Sequence, residues 1–392
     1  MLKKVFLIIG LILCLSFIVY CCVLGLKHDS DKVVLQYSSW GSESEVSILK
    51  PLLKDFEQKN PDIQVDFMHI PQNYFQKIHL LYASNTAPDV VFINNQYLPV
   101  YVKAGVLEEL SEYEKELEFD KFYPKAFWTM CWKDGYYAVP RDISNLVIFY
   151  NKDLFKKYNV PFPHKNWKYD EFLHSAQKLT HRPDVFGISF EEEPLYYLPY
   201  MMSEGLNGVP YYDDVKNNKG LLMYADLRNK YHVAPQRQES ASATMAQMFL
   251  QGKLAMHVSG RWLVPKYRQE AKFDWDVVEF PQMANGSIMP MDSSGWAISK
   301  SSKHKKEAIK LIKYLSSKES MDKFAQSGLI VPARIDSANS TSFLDGKKPY
   351  NAKVFLDVIQ TSVPTRVSVD YRKILDDLKT KNELLFNPVE QE

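Results

Sequence analysis

DGYYAVPRDISNLVIFYNKDLF, residues Asp134–Phe155, is the stretch from which the fold is read. Asp134-Gly135 is a turn signal, and Tyr136–Val139 has the composition of a short strand. Pro140 is expected to end that strand, because proline has no N–H to give to a ladder. Arg141, Asp142, Ser144 and Asn145 then crowd together with only Ile143 between them. Leu146–Tyr150 is a continuous apolar run, the mark of a strand covered on both faces. Asn151 is placed to cap a helix beginning at Lys152. Two strands separated by a polar cluster suit a segment that crosses between two lobes. A loop whose charges are merely solvated fits the same residues.

Outward from this stretch, strands and helices alternate. Val33–Tyr37, Ile63–Phe67 and Val90–Ile93 are apolar enough for buried strands, and the spacing of Val46, Leu49, Leu53 and Phe56 predicts a helix between the first two. Ser42 and Glu45 form a capping-box pattern at its start, while Pro51 is expected to kink it. Tyr74, Ile78, Leu81 and Tyr82 share a second helical face, and Tyr97–Ala104 reads as a third helix. Further on, Trp167–Leu179 and Thr244–Gln251 are predicted helices, with Leu254–Val258 and Trp275–Phe280 predicted strands. Such alternation argues for an α/β protein, where ligands bind beyond the carboxyl ends of strands. That rule selects Trp40 and Glu43 after the first strand, and Asn94 and Asn95 after Val90–Ile93. Ser259-Gly260-Arg261-Trp262 closes another strand, where Trp262 fits either interdomain packing or stacking on a ligand. Glu191-Glu192-Glu193 reads as a solvated loop.

The 392 residues suffice for two or three domains with sizeable cores. Lys and Arg number 48 against 47 Asp and Glu, so no electrostatic footprint for nucleic acid is visible. Cysteine occurs at 14, 21, 22 and 131, without metal-ligand spacing. Lys3-Lys4 precede the uncharged run Val5–Leu26, which at ~1.5 Å per residue is long enough to cross a bilayer as a helix. Residues 1–26 therefore read as a signal or anchor segment and 27–32 as a charged linker. Three fates fit the segment: lipidation at Cys21 or Cys22, although Tyr20 spoils the lipobox; cleavage after Gly25; or retention as an anchor. A membrane-tethered form is favoured. No G-x-x-x-x-G-K-[ST], H-E-x-x-H or G-x-S-x-G pattern occurs, which speaks against a P-loop ATPase, a zincin or a serine hydrolase.

The sequence resembles the family 1 extracellular solute-binding proteins of ABC importers, the maltose-binding-protein type. The resemblance rests on DG-x-x-Y-x-VP and YNKDLF in the opening stretch, and on FEQKNPDIQV, YASNTAPDVVF and VYVKAGVLEEL before it. After it come W-x-x-x-E-F-x-x-x-A-x-K-L-T from Trp167, Gly260-Arg261-Trp262, Ser294-Gly295-Trp296-Ala297-Ile298-Ser299 and Leu329–Arg334. It implies a two-lobed periplasmic-binding-protein fold (type II), each lobe a mixed sheet flanked by helices, with the ligand cleft between lobes. The N-lobe is expected at 33–141 and 280–316 and the C-lobe at 142–279 and 317–392, with crossings near 138–142, 275–281 and 316–319. The implied function is the extracytoplasmic, monomeric substrate-binding component of an importer, passing a carbohydrate to ABC permease subunits without cofactor or metal. Trp40, Trp262 and Trp296 would stack on sugar faces. Glu43, Asn94 and Asp142 would take hydroxyls, Arg141 and Arg366 would donate, and Gly295 belongs to the same expected site. A neutral sugar is favoured over a glycerol phosphate. A sugar-sensing co-receptor and a glycosidase, which needs only two facing carboxylates, stay open as alternatives of another class.

Overall fold

The structure, a computed structural model, describes residues 32–206 and 217–388. The predicted signal segment, and all of the linker but Lys32, lie outside the described residues. Among the described residues, no helix is long and apolar enough to cross a membrane.

Two sheets organise the chain. The larger joins β1 (Val33–Ser39), β2 (Ile63–His69), β3 (Val90–Asn94), β6 (Val139–Ser144), β11 (Pro290–Ile298) and β12 (Val331–Pro332) in the order β12-β6-β11-β3-β1-β2. A short β13 (Val363–Pro364) pairs with the start of β11. β1 runs parallel to β2 and β3, while β11 is antiparallel to both β3 and β6. The smaller sheet has the order β10-β7-β9-β8, from β7 (Leu146–Asn151), β8 (Phe186–Ile188), β9 (Leu254–Gly260) and β10 (Trp275–Val278). A separate ribbon pairs β4 (Cys131–Trp132) with β5 (Gly135–Tyr136).

The opening stretch is thus resolved, with one correction. Pro140 does not end a strand; it lies inside β6, opposite Gly295 of β11. Proline is tolerated there because the register shifts between Ser294 and Gly295, interrupting the ladder where its N–H is missing. Arg141, Asp142 and Ser144 are therefore strand residues of the larger sheet. Asn145 alone links β6 to β7, so the chain changes sheets three residues beyond the expected 138–142. The chain returns to the larger sheet between the end of β10 at Val278 and the start of β11 at Pro290. β12 pairs with β6, so the chain is still in the larger sheet beyond 316–319.

The helices start as their side chains dictate. Ser42 Oγ accepts the Glu45 N–H at 3.3 Å at the start of Glu43–Lys59, and Asn151 Oδ1 accepts from Asp153 and Leu154 at 3.0 and 3.1 Å. Helix Glu43–Lys59 runs on through Pro51, whose side faces solvent. Ala308, Leu311, Ile312 and Leu315 are all buried on one face of helix Lys305–Leu315. The largest apolar cluster includes Trp296, Ile312 and Phe324 beside the larger sheet and Phe149, Tyr267 and Trp275 beside the smaller one. Phe355, from helix Val354–Thr361, belongs to the same cluster.

The acidic run 191–193 is not the solvated loop expected. Glu192 Oε1 accepts from Arg228 Nη1 at 2.9 Å and Asn387 Nδ2 at 3.2 Å, and Arg237 bonds the other oxygen. This network ties the end of helix Tyr371–Phe386 to the smaller sheet's helices. Burial alone would raise the Glu192 pKa, but the hydrogen bonds from Arg237, Arg228 and Asn387 prevail and lower it to about 2. A depressed folded-state pKa stabilises the fold above the ordinary carboxylate range and ceases to do so as pH falls towards 2. Glu192→Gln should cost roughly 1–3 kcal/mol near neutrality, the scale of hydrogen bonds to a charged group. Melting curves of the two chains should differ at pH 6 and converge by pH 2; a constant difference would show that charge is not involved.

Candidate functional site

The carboxyl ends of β1, β3 and β9 and the middle of β6 and β11 meet between the two sheets. Trp40, following β1, lines a cavity of about 190 Å³ together with Glu45, Arg141, Asp142, Arg261 and Trp262. A second cavity of about 160 Å³ shares Trp262, Ser144 and Ser294 with the first and adds Asn94, Asn95, Asn145 and Asp292. A third, of about 350 Å³, shares Gln96, Leu195 and Asp292 with the second and adds Glu193, Tyr196, Tyr371 and Arg372. The three form a row along the seam, with Trp262 at the first junction.

In the first cavity the dominant feature is a closed ionic group. Arg141 bonds Glu45 through Nη1, and reaches Asp142 Oδ2 through Nη2 at 2.8 Å and Nε at 2.9 Å. Asp142 Oδ1 accepts the Ser294 N–H at 3.2 Å, and the guanidinium lies 4.3 Å from the Phe92 ring centroid. All three side chains are buried. Burial alone would lower the Arg141 pKa, but the two carboxylates outweigh it and hold it above its usual value. Burial raises the Asp142 pKa despite the guanidinium beside it.

Several of the expected site residues are among those lining the cavities. Trp262 is 36% exposed and faces two cavities. Its ring folds back over Gly260, where a Cβ would lie only 1.9 Å from it, so the glycine sets the indole's position. Trp40 is half-buried, its ring centroid 4.5 Å from Phe92 and 5.1 Å from Tyr74. Asn94 lines the second cavity while its Oδ1 accepts the Tyr97 N–H at 3.2 Å.

Others are not. Trp296 is fully enclosed, its indole N–H donating to Tyr37 Oη at 3.0 Å, and it packs the larger sheet instead of a ligand. Gly295 serves the β6–β11 bulge, since a Cβ there would lie 2.1 Å from the Val139 carbonyl oxygen. Glu43 is exposed in the first helical turn, and Glu45, two residues on, is the carboxylate that turns inward. Arg366 is exposed and lines none of the three cavities, whereas Arg372 lines the third and donates to Gln96 Oε1 at 3.1 Å. Among the described residues no group of three or more His, Cys, Asp or Glu could hold a metal. The two carboxylates of the first cavity, on Glu45 and Asp142, are both bonded to Arg141, which does not suit them to paired acid–base work.

Two sheets in two lobes, with a row of polar and aromatic cavities along their seam, define a solute-binding protein that encloses its ligand. Residues 40–322 match the family described as bacterial extracellular solute-binding proteins, and the chain belongs to that family. Among similar proteins is the multiple sugar-binding protein of Streptococcus mutans, 25% identical over 321 residues, covering 76% of this chain and 74% of that protein. The maltodextrin-binding protein of Bacillus subtilis is 25% identical over 348 residues, covering 82% and 78%. An ABC substrate-binding protein of Listeria monocytogenes, solved in complex with cycloalternan, superposes with a TM-score of 0.81 at 26% identity, over 91% of this chain and 94% of that one.

Proposed function

We propose that this chain is the substrate-binding component of an ABC importer, taking an oligosaccharide between its lobes and passing it to a membrane permease. The observation that carries the reading is the row of joined cavities, which offers successive places for linked sugar units. A sugar ring presents an apolar C–H face and a rim of hydroxyls, and needs flat apolar surface beside fixed polar groups. Trp262 supplies such a surface at the junction of two cavities, and Trp40 also lines the first. Asn94, Asn95 and Asn145 bring carboxamides to the second. Relatives whose names specify multiple sugars and maltodextrins support the same ligand class. A glycerol phosphate fits less well, because Arg141 is already held by two carboxylates and Arg366 lines none of the three cavities. Hinge closure of the lobes on the ligand would then present a changed surface to the permease.

Trp262 is the residue to test. A thermal-shift screen across oligosaccharides identifies a binder, and Trp262→Ala should weaken that binder by roughly 1–3 kcal/mol, the scale of a hot-spot aromatic. The melting temperature without ligand should hardly move, since the ring is partly exposed. Unchanged affinity would remove Trp262 from the ligand's surroundings.

The extracytoplasmic location follows from the family, and we further propose that residues 1–26 keep the chain on the membrane. Protease added to intact spheroplasts should then degrade it while it sediments with membranes. A protease-resistant soluble pool would refute the tether.

A further inference from the structure

Four arginines are buried among the described residues: Arg141, Arg228, Arg261 and Arg334. Three are satisfied. Arg141 has Glu45 and Asp142, Arg228 has Glu192 and the Pro235 carbonyl, and Arg334 has Glu118 and Asp336. Arg261, at the exit of β9, has no acceptor for Nε, Nη1 or Nη2 although it is only 2% exposed. Its guanidinium carbon sits 3.9 Å from the Phe343 ring centroid and 5.3 Å from that of Phe355, and these π faces compensate only part of a buried charge. A buried cation without a counter-charge is strongly destabilising, so its retention at the wall of a cavity needs a partner from elsewhere.

We propose that Arg261 anchors a carboxylate on the ligand, so that the oligosaccharide taken carries an acidic sugar of the uronic-acid type; this rests on the reading of the cleft as a sugar site. Arg261 lines the first cavity with Trp262, its neighbour in sequence. Burial lowers its pKa to about 9, and nearby Arg268 acts in the same direction. Asp345, an acidic group acting on it, is bonded to Arg268 at 3.0 Å. The local balance around Arg261, Arg268 and Asp345 is therefore one positive charge. Glu45 and Asp142, which line the same cavity, are bonded to Arg141 and not to Arg261. The guanidinium nitrogens are covered in this arrangement, so binding the carboxylate requires the side chain to turn towards the cavity. One planar guanidinium matches one carboxylate in a two-bond fork. A phosphate dianion would want a second cation, and Arg141 is committed to its own two carboxylates.

The test uses the full chain and trisaccharides in matched sets, in the gluco and galacto series, differing at C6 of one ring: hydroxymethyl, carboxylate or phosphate ester. Calorimetric titration should find the carboxylate form at least 30-fold tighter than the hydroxymethyl form at low salt, with the gap narrowing as salt rises. Arg261→Met should erase the gap while leaving the ligand-free melting temperature unchanged or higher, because it removes an unpaired buried charge. Arg261→Lys should restore only part of it. Equal or tighter binding of the neutral form overturns the proposal and leaves the sugar reading standing. Tightest binding of the phosphate ester overturns the carboxylate assignment. Arg261→Met melting lower while binding the acid as wild type does would make Arg261 a packing residue. No binding by any set overturns the sugar reading and this inference together.

Discussion

Trp296→Ala is expected to cost the fold roughly 3–5 kcal/mol, the range for removing a large aromatic from a core, and to leave ligand affinity of the folded chain unchanged. Trp296 has no exposed surface and lies on β11, which is paired on both sides, to β3 and β6. Its indole is 5.9 Å from Phe92 between ring centroids, and its N–H bonds the hydroxyl of Tyr37. Truncation leaves a void between paired strands that cannot close up, and strips Tyr37 of a donor in a place where burial has already pushed its pKa to about 12. Trp296→Phe keeps most of the volume and should cost about 1–3 kcal/mol, mainly through the lost donor. Urea unfolding measures both. A Trp296→Ala chain of normal stability but with lost binding would return this tryptophan to the cleft.

Why the sequence pointed Trp296 and Trp262 the same way is instructive. Each follows a strand or turn glycine within a recognisable block, and that spacing reports where the backbone goes, not which face a side chain takes. Along a strand, faces alternate with every residue, so one step decides between cleft and core. β9 ends at Gly260, which frees Trp262 to turn over it, whereas Trp296 is still inside β11. The strands themselves were legible, because long apolar runs such as Leu146–Tyr150 leave little choice. So was the Asn151 cap, whose bonds are local. The pairing that rescued Pro140 was not legible, since its partner Gly295 is far away in the chain. Glu43 and Glu45 lie in the same helical turn, and only the position of Arg141 in the folded chain distinguishes them. Arg366 and Arg372 differ likewise by their place relative to helix Tyr371–Phe386. Family blocks carried the fold class, while the direction of each charged side chain was set by long-range packing.

The Glu45–Arg141–Asp142 group is where a single substitution should do most damage. Arg141→Met removes the only cation bonded to two buried carboxylates, and an uncompensated buried charge costs about 3–5 kcal/mol. The penalty should depend on pH in a definite direction. Without the guanidinium, burial raises the Asp142 carboxyl further above its unfolded value, and the charge of Glu45 acts in the same direction. Groups raised in this way favour the fold below the unfolded pKa and lose that contribution as pH rises through the folded one. The deficit of Arg141→Met relative to wild type should therefore be largest at neutral pH, shrink as pH falls through the raised folded-state value, and level off by about 4, the ordinary carboxylate range. Neutralising all three positions, as Glu45→Gln, Arg141→Met and Asp142→Asn together, should recover much of the loss, because no charge is then left unpaired. Recovery of stability without recovery of ligand binding would show that the group is kept for the cavity it shapes beside Trp40 and Trp262. If Arg141→Met unfolds within 1 kcal/mol of wild type at neutral pH, water reaches these carboxylates and the group is not the buried brace described here.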